Sequence, residues 1–125
     1  FESFRPMPLV DILAQTRTLS KGVCRLAVIT GGEPLRQNIV PLCEALISEG
    51  FTVQIETNGT LYQALPDAVK IICSPKNTSG QYAPLREDVL SRAHALKFIL
   101  STRRKGYQDI GEVGQSKYHT PVYVQ

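Results

Sequence analysis

Apolar positions recur along this chain in two rhythms that take turns. Over residues 8–19, Leu9, Ile12, Leu13 and Thr16 fall at i, i+3, i+4 and i+7, which is one face of a helix. Pro8 suits its first turn and Gly22 follows as a stop. Cys24–Thr30 is a β-branched and apolar run closed by Gly31-Gly32, and it reads as a buried strand. From about Asn38 to Glu49 the helical period returns, with Ile39, Leu42, Cys43, Leu46 and Ile47 as its stripe. Asn38 fits the N-cap, Pro41 the first turn and Gly50 the position past the end. Phe51–Thr57 alternates as a strand does, and Asn58-Gly59 turns the chain.

The second half continues the alternation. A short helical piece is expected around Leu61–Leu65, then a third strand over Val69–Cys73, stopped by Ser74-Pro75. Residues 77–85 read as loop and Arg86–His94 as a weak helix. Leu96–Leu100 is a fourth strand and Val122–Val124 begins a fifth. Strands separated by helices and joined by short loops predict an α/β fold, a parallel sheet with crossover helices. There is neither an internal repeat nor a low-complexity tract.

Composition narrows this picture in a few places. The 125 residues suffice for one domain with one modest core. No apolar run is long enough for a bilayer and no signal-peptide pattern opens the chain, so no membrane partner and a cytoplasmic location are expected. A net charge of +3 is too small to argue for nucleic acid. The densest basic cluster, Arg103-Arg104-Lys105, reads as a solvated loop. Cys24, Cys43 and Cys73 are odd in number and far apart, which fits neither a disulfide framework nor a metal motif. Each has apolar neighbours and is expected as a small buried core residue. His94 and His119 have no Cys or carboxylate at metal-ligand spacing, and Tyr82, Tyr107 and Tyr118 are expected to be half-buried.

The chemistry gathers where strands end. Thr30-Gly31-Gly32-Glu33-Pro34 follows the first strand, Glu56-Thr57-Asn58-Gly59-Thr60 the second and Ser74-Pro75-Lys76 the third. In parallel α/β sheets ligands bind beyond the C-terminal ends of the strands, so these three segments meet on one edge. Gly31 and Gly32 let backbone approach a ligand closely. Glu33 can accept hydrogen bonds from an ammonium, Ser74 and Lys76 can hold a carboxylate, and Glu56 can accept from sugar hydroxyls. Such a set suits a zwitterionic ligand bearing a ribose. Each segment alone has a plain structural reading, as loop, turn or strand stop; their register on one edge favours a site. No P-loop and no Gly-x-Gly-x-x-Gly pattern is present.

Thr30-Gly31-Gly32-Glu33-Pro34 resembles the Gly-Gly-Glu-Pro motif of radical S-adenosylmethionine (SAM) enzymes. Together with Glu56–Thr60, Ser74-Pro75-Lys76, Lys97–Leu100 and Val122–Gln125, the series resembles the 7-carboxy-7-deazaguanine synthase family. The resemblance runs from Leu26 to Gln125 and is sharp only at those motifs. It implies a partial (β/α) barrel and a lyase that contracts the ring of 6-carboxytetrahydropterin on the way to queuosine. It also implies SAM, a 4Fe-4S cluster that cleaves SAM to the hydrogen-abstracting radical, and magnesium. Carried over, Gly31, Gly32 and Glu33 meet the SAM amine, Glu56 the ribose, and Ser74 and Lys76 the carboxylate. Gln125 reaches toward SAM and Thr30 faces the pterin-like substrate. A homodimer is compatible with the family.

One departure qualifies the resemblance. The family's Cys-x-x-x-Cys-x-x-Cys loop is not found among Cys24, Cys43 and Cys73. The chain opens at Phe1 and stops inside the run Pro121–Gln125. The expectation is therefore an incomplete radical SAM core over residues 1–125, with its cluster loop before Phe1 and its C-terminal end missing, inactive alone and exposing its first strand edge. Two other readings stay open: a glycyl-radical-enzyme activase, which shares Gly-Gly-Glu-Pro, and a non-catalytic module that binds SAM or a partner.

Overall fold

The computed structural model describes residues 4–125; Phe1, on which the reading of the chain's start rests, lies outside them. In chain order the elements are α1 (Leu9–Ser20), β1 (Leu26–Ile29), a 3-10 turn (Pro34–Arg36), α2 (Val40–Ser48) and β2 (Thr52–Thr57). They continue with β3 (Lys70–Cys73), α3 (Glu87–Arg92), β4 (Ala95–Phe98), α4 (Gln115–Tyr118) and β5 (Val122–Val124). All neighbouring strands pair in parallel, in the order β1-β2-β3-β4-β5. The expected α/β architecture is the one found.

Side chains alternate across each strand, and burial alternates with them. Val53, Ile55 and Thr57 of β2, Ile71 and Cys73 of β3, and Leu96 and Phe98 of β4 are buried. They pack in two clusters: one under α2 with Cys43, Leu46 and Phe51, the other under α3 with Val89 and Val113. The intervening Gln54, Glu56, Ile72 and Lys97 are only half-buried. Val28 of β1 and Tyr123 of β5, on the same face, are 45% and 62% exposed. One face of the sheet is thus covered and the other open.

Four expectations need correction. Residues 61–65 form no helix. Five residues make a poor helix nucleus, Pro66 disfavours the helical conformation at Leu65, and Gln63 instead donates through Nε2 to the Leu35 carbonyl at 2.9 Å. Cys24 is exposed, unlike Cys43 and Cys73, because it precedes β1 at the sheet's edge. Tyr107 is buried rather than half-buried; its hydroxyl donates to the Asn77 carbonyl (3.0 Å) and accepts from the Asn77 N–H (3.1 Å). The Asn38 side chain accepts from the Val40 N–H at 3.3 Å, while Ile39 stands at the N-cap itself. The basic cluster lies on an exposed turn, with the Arg104 guanidinium 4.5 Å from the centre of the Tyr107 ring. No helix among the described residues is long and apolar enough to cross a membrane.

Candidate functional site

The ends of β1, β2, β3 and β4 border one small cleft on the C-terminal edge of the sheet, about 120 Å³ in volume. Thr30, Gly31 and Gly32 come from the segment after β1, and Glu56, Thr57 and Asn58 from the end of β2 and the turn after it. Ser74 and Lys76 follow β3, and Lys97 and Ile99 come from β4 and its exit. Six of the eight residues expected at a site therefore share one cleft: Thr30, Gly31, Gly32, Glu56, Ser74 and Lys76. A larger groove of about 470 Å³ between α1, α2 and β1 is lined without a single charged side chain and brings no reactive groups together.

Gly31 has φ +131, a conformation that side-chain-bearing residues avoid, and open space lies where a Cβ would project from it or from Gly32. Backbone at this loop is therefore accessible to a ligand. Across the cleft Glu56 pairs with Lys97 at 3.0 Å (Oε2 to Nζ), both side chains less than a third exposed. Lys76 is exposed and enters none of the ion pairs among the described residues. The cleft thus offers one paired carboxylate, one cation free for an anionic group, the hydroxyls of Thr30 and Ser74 and open backbone, while the Thr57 hydroxyl is taken by Glu33.

Glu33 is held in place by the protein itself. Its Oε1 accepts from the Leu35 N–H (3.1 Å) and the Thr57 hydroxyl (2.7 Å), and its Oε2 from the Asn58 N–H (2.8 Å). With three internal donors the carboxylate is committed to tying the loop after β1 to the end of β2, and it does not line the cleft. A carboxylate has about four acceptor sites, so these three bonds hold Glu33 in place and leave one site for the expected ligand ammonium. The knot continues beneath it. The Gly59 N–H donates to Thr57 Oγ1 at 3.2 Å, and Gly59 (φ +77) has no room for a side chain, since a Cβ would meet the Cys73 Sγ at 2.6 Å. Burial, reinforced by the Glu33 charge against a smaller opposing effect of Lys76, pushes the Cys73 thiol up to about 12. Cys73 is thus a neutral packing residue and no nucleophile.

Gln125 also lies outside the cleft lining. It is exposed at the end of β5, where its N–H donates to the Phe98 carbonyl (2.9 Å) and its carbonyl accepts from the Leu100 N–H (2.8 Å). Lys97 and Ile99 went unassigned in the sequence because Leu96–Leu100 reads as a continuous apolar strand. A lysine at its second position was the one available signal. Among the described residues no group of three His, Cys, Asp or Glu side chains stands close enough to hold a metal ion.

Fold and cleft define a parallel α/β protein with its polar groups gathered at the C-terminal ends of the strands. The fold is that of the crystal structure of QueE from Escherichia coli, with a TM-score of 0.69 and 23% identity, over 95% of this chain and 64% of that one. The curated proteins to which the chain is similar are 7-carboxy-7-deazaguanine synthases. The chain is 48% identical to the protein of that name from Rickettsia prowazekii, over the whole of this chain and 56% of the relative. It is 43% identical to the one from Rhodospirillum rubrum, over 75% of this chain and 39% of that one. The chain thus spans about half the length, or less, of these relatives. No family model matches it.

Proposed function

We propose that this chain forms the SAM-binding portion of a 7-carboxy-7-deazaguanine synthase, which acts on 6-carboxytetrahydropterin. The observation that carries the reading is the convergence of Gly31-Gly32, Glu56, Ser74 and Lys76 from three successive strand ends into one cleft. Lys76 and Ser74 bind the ligand carboxylate, the open backbone at Gly31-Gly32 receives its amine, and Glu56 accepts from the ribose hydroxyls. Thr30, at the rim, faces the pterin. SAM, when bound, supplies the radical chemistry; the residues of this chain orient it.

The cleft of about 120 Å³ is smaller than the ~300 Å³ at which ordinary ligand pockets begin, which supports a site completed by other parts of the protein. On this reading residues 1–125 are part of a radical SAM core. The family's 4Fe-4S cluster and magnesium would be held by residues outside those described. Calorimetric titration with SAM tests the proposal. Saturable binding is expected, weakened about tenfold or more by Lys76→Ala through loss of a charge-assisted contact. A folded protein that binds no SAM, or a Lys76→Ala variant that binds it unchanged, overturns the reading.

A further inference from the structure

The cleft contains two lysines in different states, and the difference assigns them different work. Lys76 is exposed and pairs with no acidic group, whereas Lys97 is held against Glu56. We propose that Lys97 is a positioning residue: its ammonium fixes the Glu56 carboxylate so that the second oxygen faces the ribose hydroxyls of bound SAM. The inference rests on the SAM reading above and adds to it a residue that does not itself meet the ligand.

The sheet explains how two residues 41 positions apart meet. Glu56 stands opposite Ile72, Ile72 opposite Ala95, and Lys97 two residues beyond Ala95 on the same face. Glu56 and Lys97 are therefore separated by one whole strand, a span of roughly 10 Å that a long lysine side chain can bridge over Ile72. Only Oε2 of Glu56 is used, at 3.0 Å; Oε1 takes no hydrogen bond from the described residues. A carboxylate has about four acceptor sites, so one oxygen can be anchored while the other binds. Without the anchor, Glu56 would have to be ordered by the ligand itself, and that ordering would weaken binding. Because Lys97 is committed to Glu56, the ligand carboxylate is left to Lys76.

The test is a cycle of SAM titrations on the wild type, Lys97→Met, Glu56→Gln and the double variant, with thermal melts to confirm folding. Lys97→Met is expected to weaken SAM roughly tenfold, the scale of one lost charge-assisted interaction. Because Lys97 acts through Glu56, the double variant should bind no worse than Glu56→Gln alone. Lys97→Arg should restore most of the affinity. A SAM analogue lacking the 2′- and 3′-hydroxyls should bind the wild type and Lys97→Met alike. If the two losses multiply, or if the dideoxy analogue is weakened as much as SAM, Lys97 contacts the ligand itself and the inference is overturned. If the wild type binds no SAM, the functional reading fails separately. The pairing is then judged by NMR of the Lys97 ammonium: protons protected from exchange in the wild type and lost in Glu56→Gln support the clasp, and free exchange in the wild type overturns it.

Discussion

The two faces of the sheet are made from the same five strands and have opposite characters. Against the helices lie Val53, Ile55, Ile71, Leu96 and Phe98, closed off from water. On the other face stand Gln54, Glu56, Ile72 and Lys97, half-buried, beside the exposed Val28 and Tyr123. Parallel sheets are normally covered on both sides and read as unbroken apolar runs. The polar alternation here marks a face not built for packing, and every charged group of the cleft except Lys76 projects from it. Stability and binding are thus assigned to alternate residues of the same strands.

The sharpest way to break that comparison is to truncate one residue on each face. Phe98→Ala, at a fully buried site, should cost about 3–5 kcal/mol in denaturant unfolding, enough to unfold a marginal domain. Val28→Ala, at a position 45% exposed, should cost less than about 1 kcal/mol in the same measurement. Equal costs would mean that the open face is covered in solution. A smaller effect is expected at the junction of the two faces. Glu33→Gln sets an amide NH₂ against one or more of three donors now satisfied by carboxylate oxygens. It should cost about 1–3 kcal/mol in thermal or chemical unfolding.

The smallest effect concerns pH. Desolvation, helped by Arg92 and Lys70, holds His94 below its ordinary value of 6.5, and its Nδ1 accepts from the Ile71 N–H at 3.1 Å, which requires the unprotonated nitrogen. On acidification the unfolded chain takes up this proton before the folded one. The contribution is therefore full above pH 6.5 and is lost as pH falls through the lower folded value. Melting temperature measured from pH 8 to 5 should fall less for His94→Gln than for the wild type over the acid part of that range.

Much of this was legible in the sequence, for identifiable reasons. The stripes of α1 and α2 are long enough to show a period, and the five strands are bounded by Gly, Pro or polar turns. The α4 helix and the 3-10 turn, four and three residues long, are too short to show one. The meeting of residues in one cleft was legible as well: anything at or just past the end of a parallel strand reaches the same edge, as Gly31, Glu56, Ser74 and Lys76 do. Hydrogen-bond partners were not. Nothing in Gly-Gly-Glu-Pro tells that the Glu33 carboxylate is taken up by Thr57 and Asn58, 24 and 25 positions further on. Nor does Leu96-Lys97-Phe98 show that its lysine crosses a strand to reach Glu56.

The unbroken strand order has a consequence for how the molecule is made. Each strand lies beside the one that precedes it in sequence, with Leu26 paired to Thr52 and Leu96 to Val122 as the widest separations. During synthesis every new strand emerges to find its neighbour already in place, and no early strand must wait for a late one. Pairing of successive strands keeps each loop to be closed shorter than a shuffled strand order would, and it favours stepwise assembly even though parallel pairing itself is slow. The polar cleft, gathered from the ends of β1 through β4, is then complete only when β4 has docked.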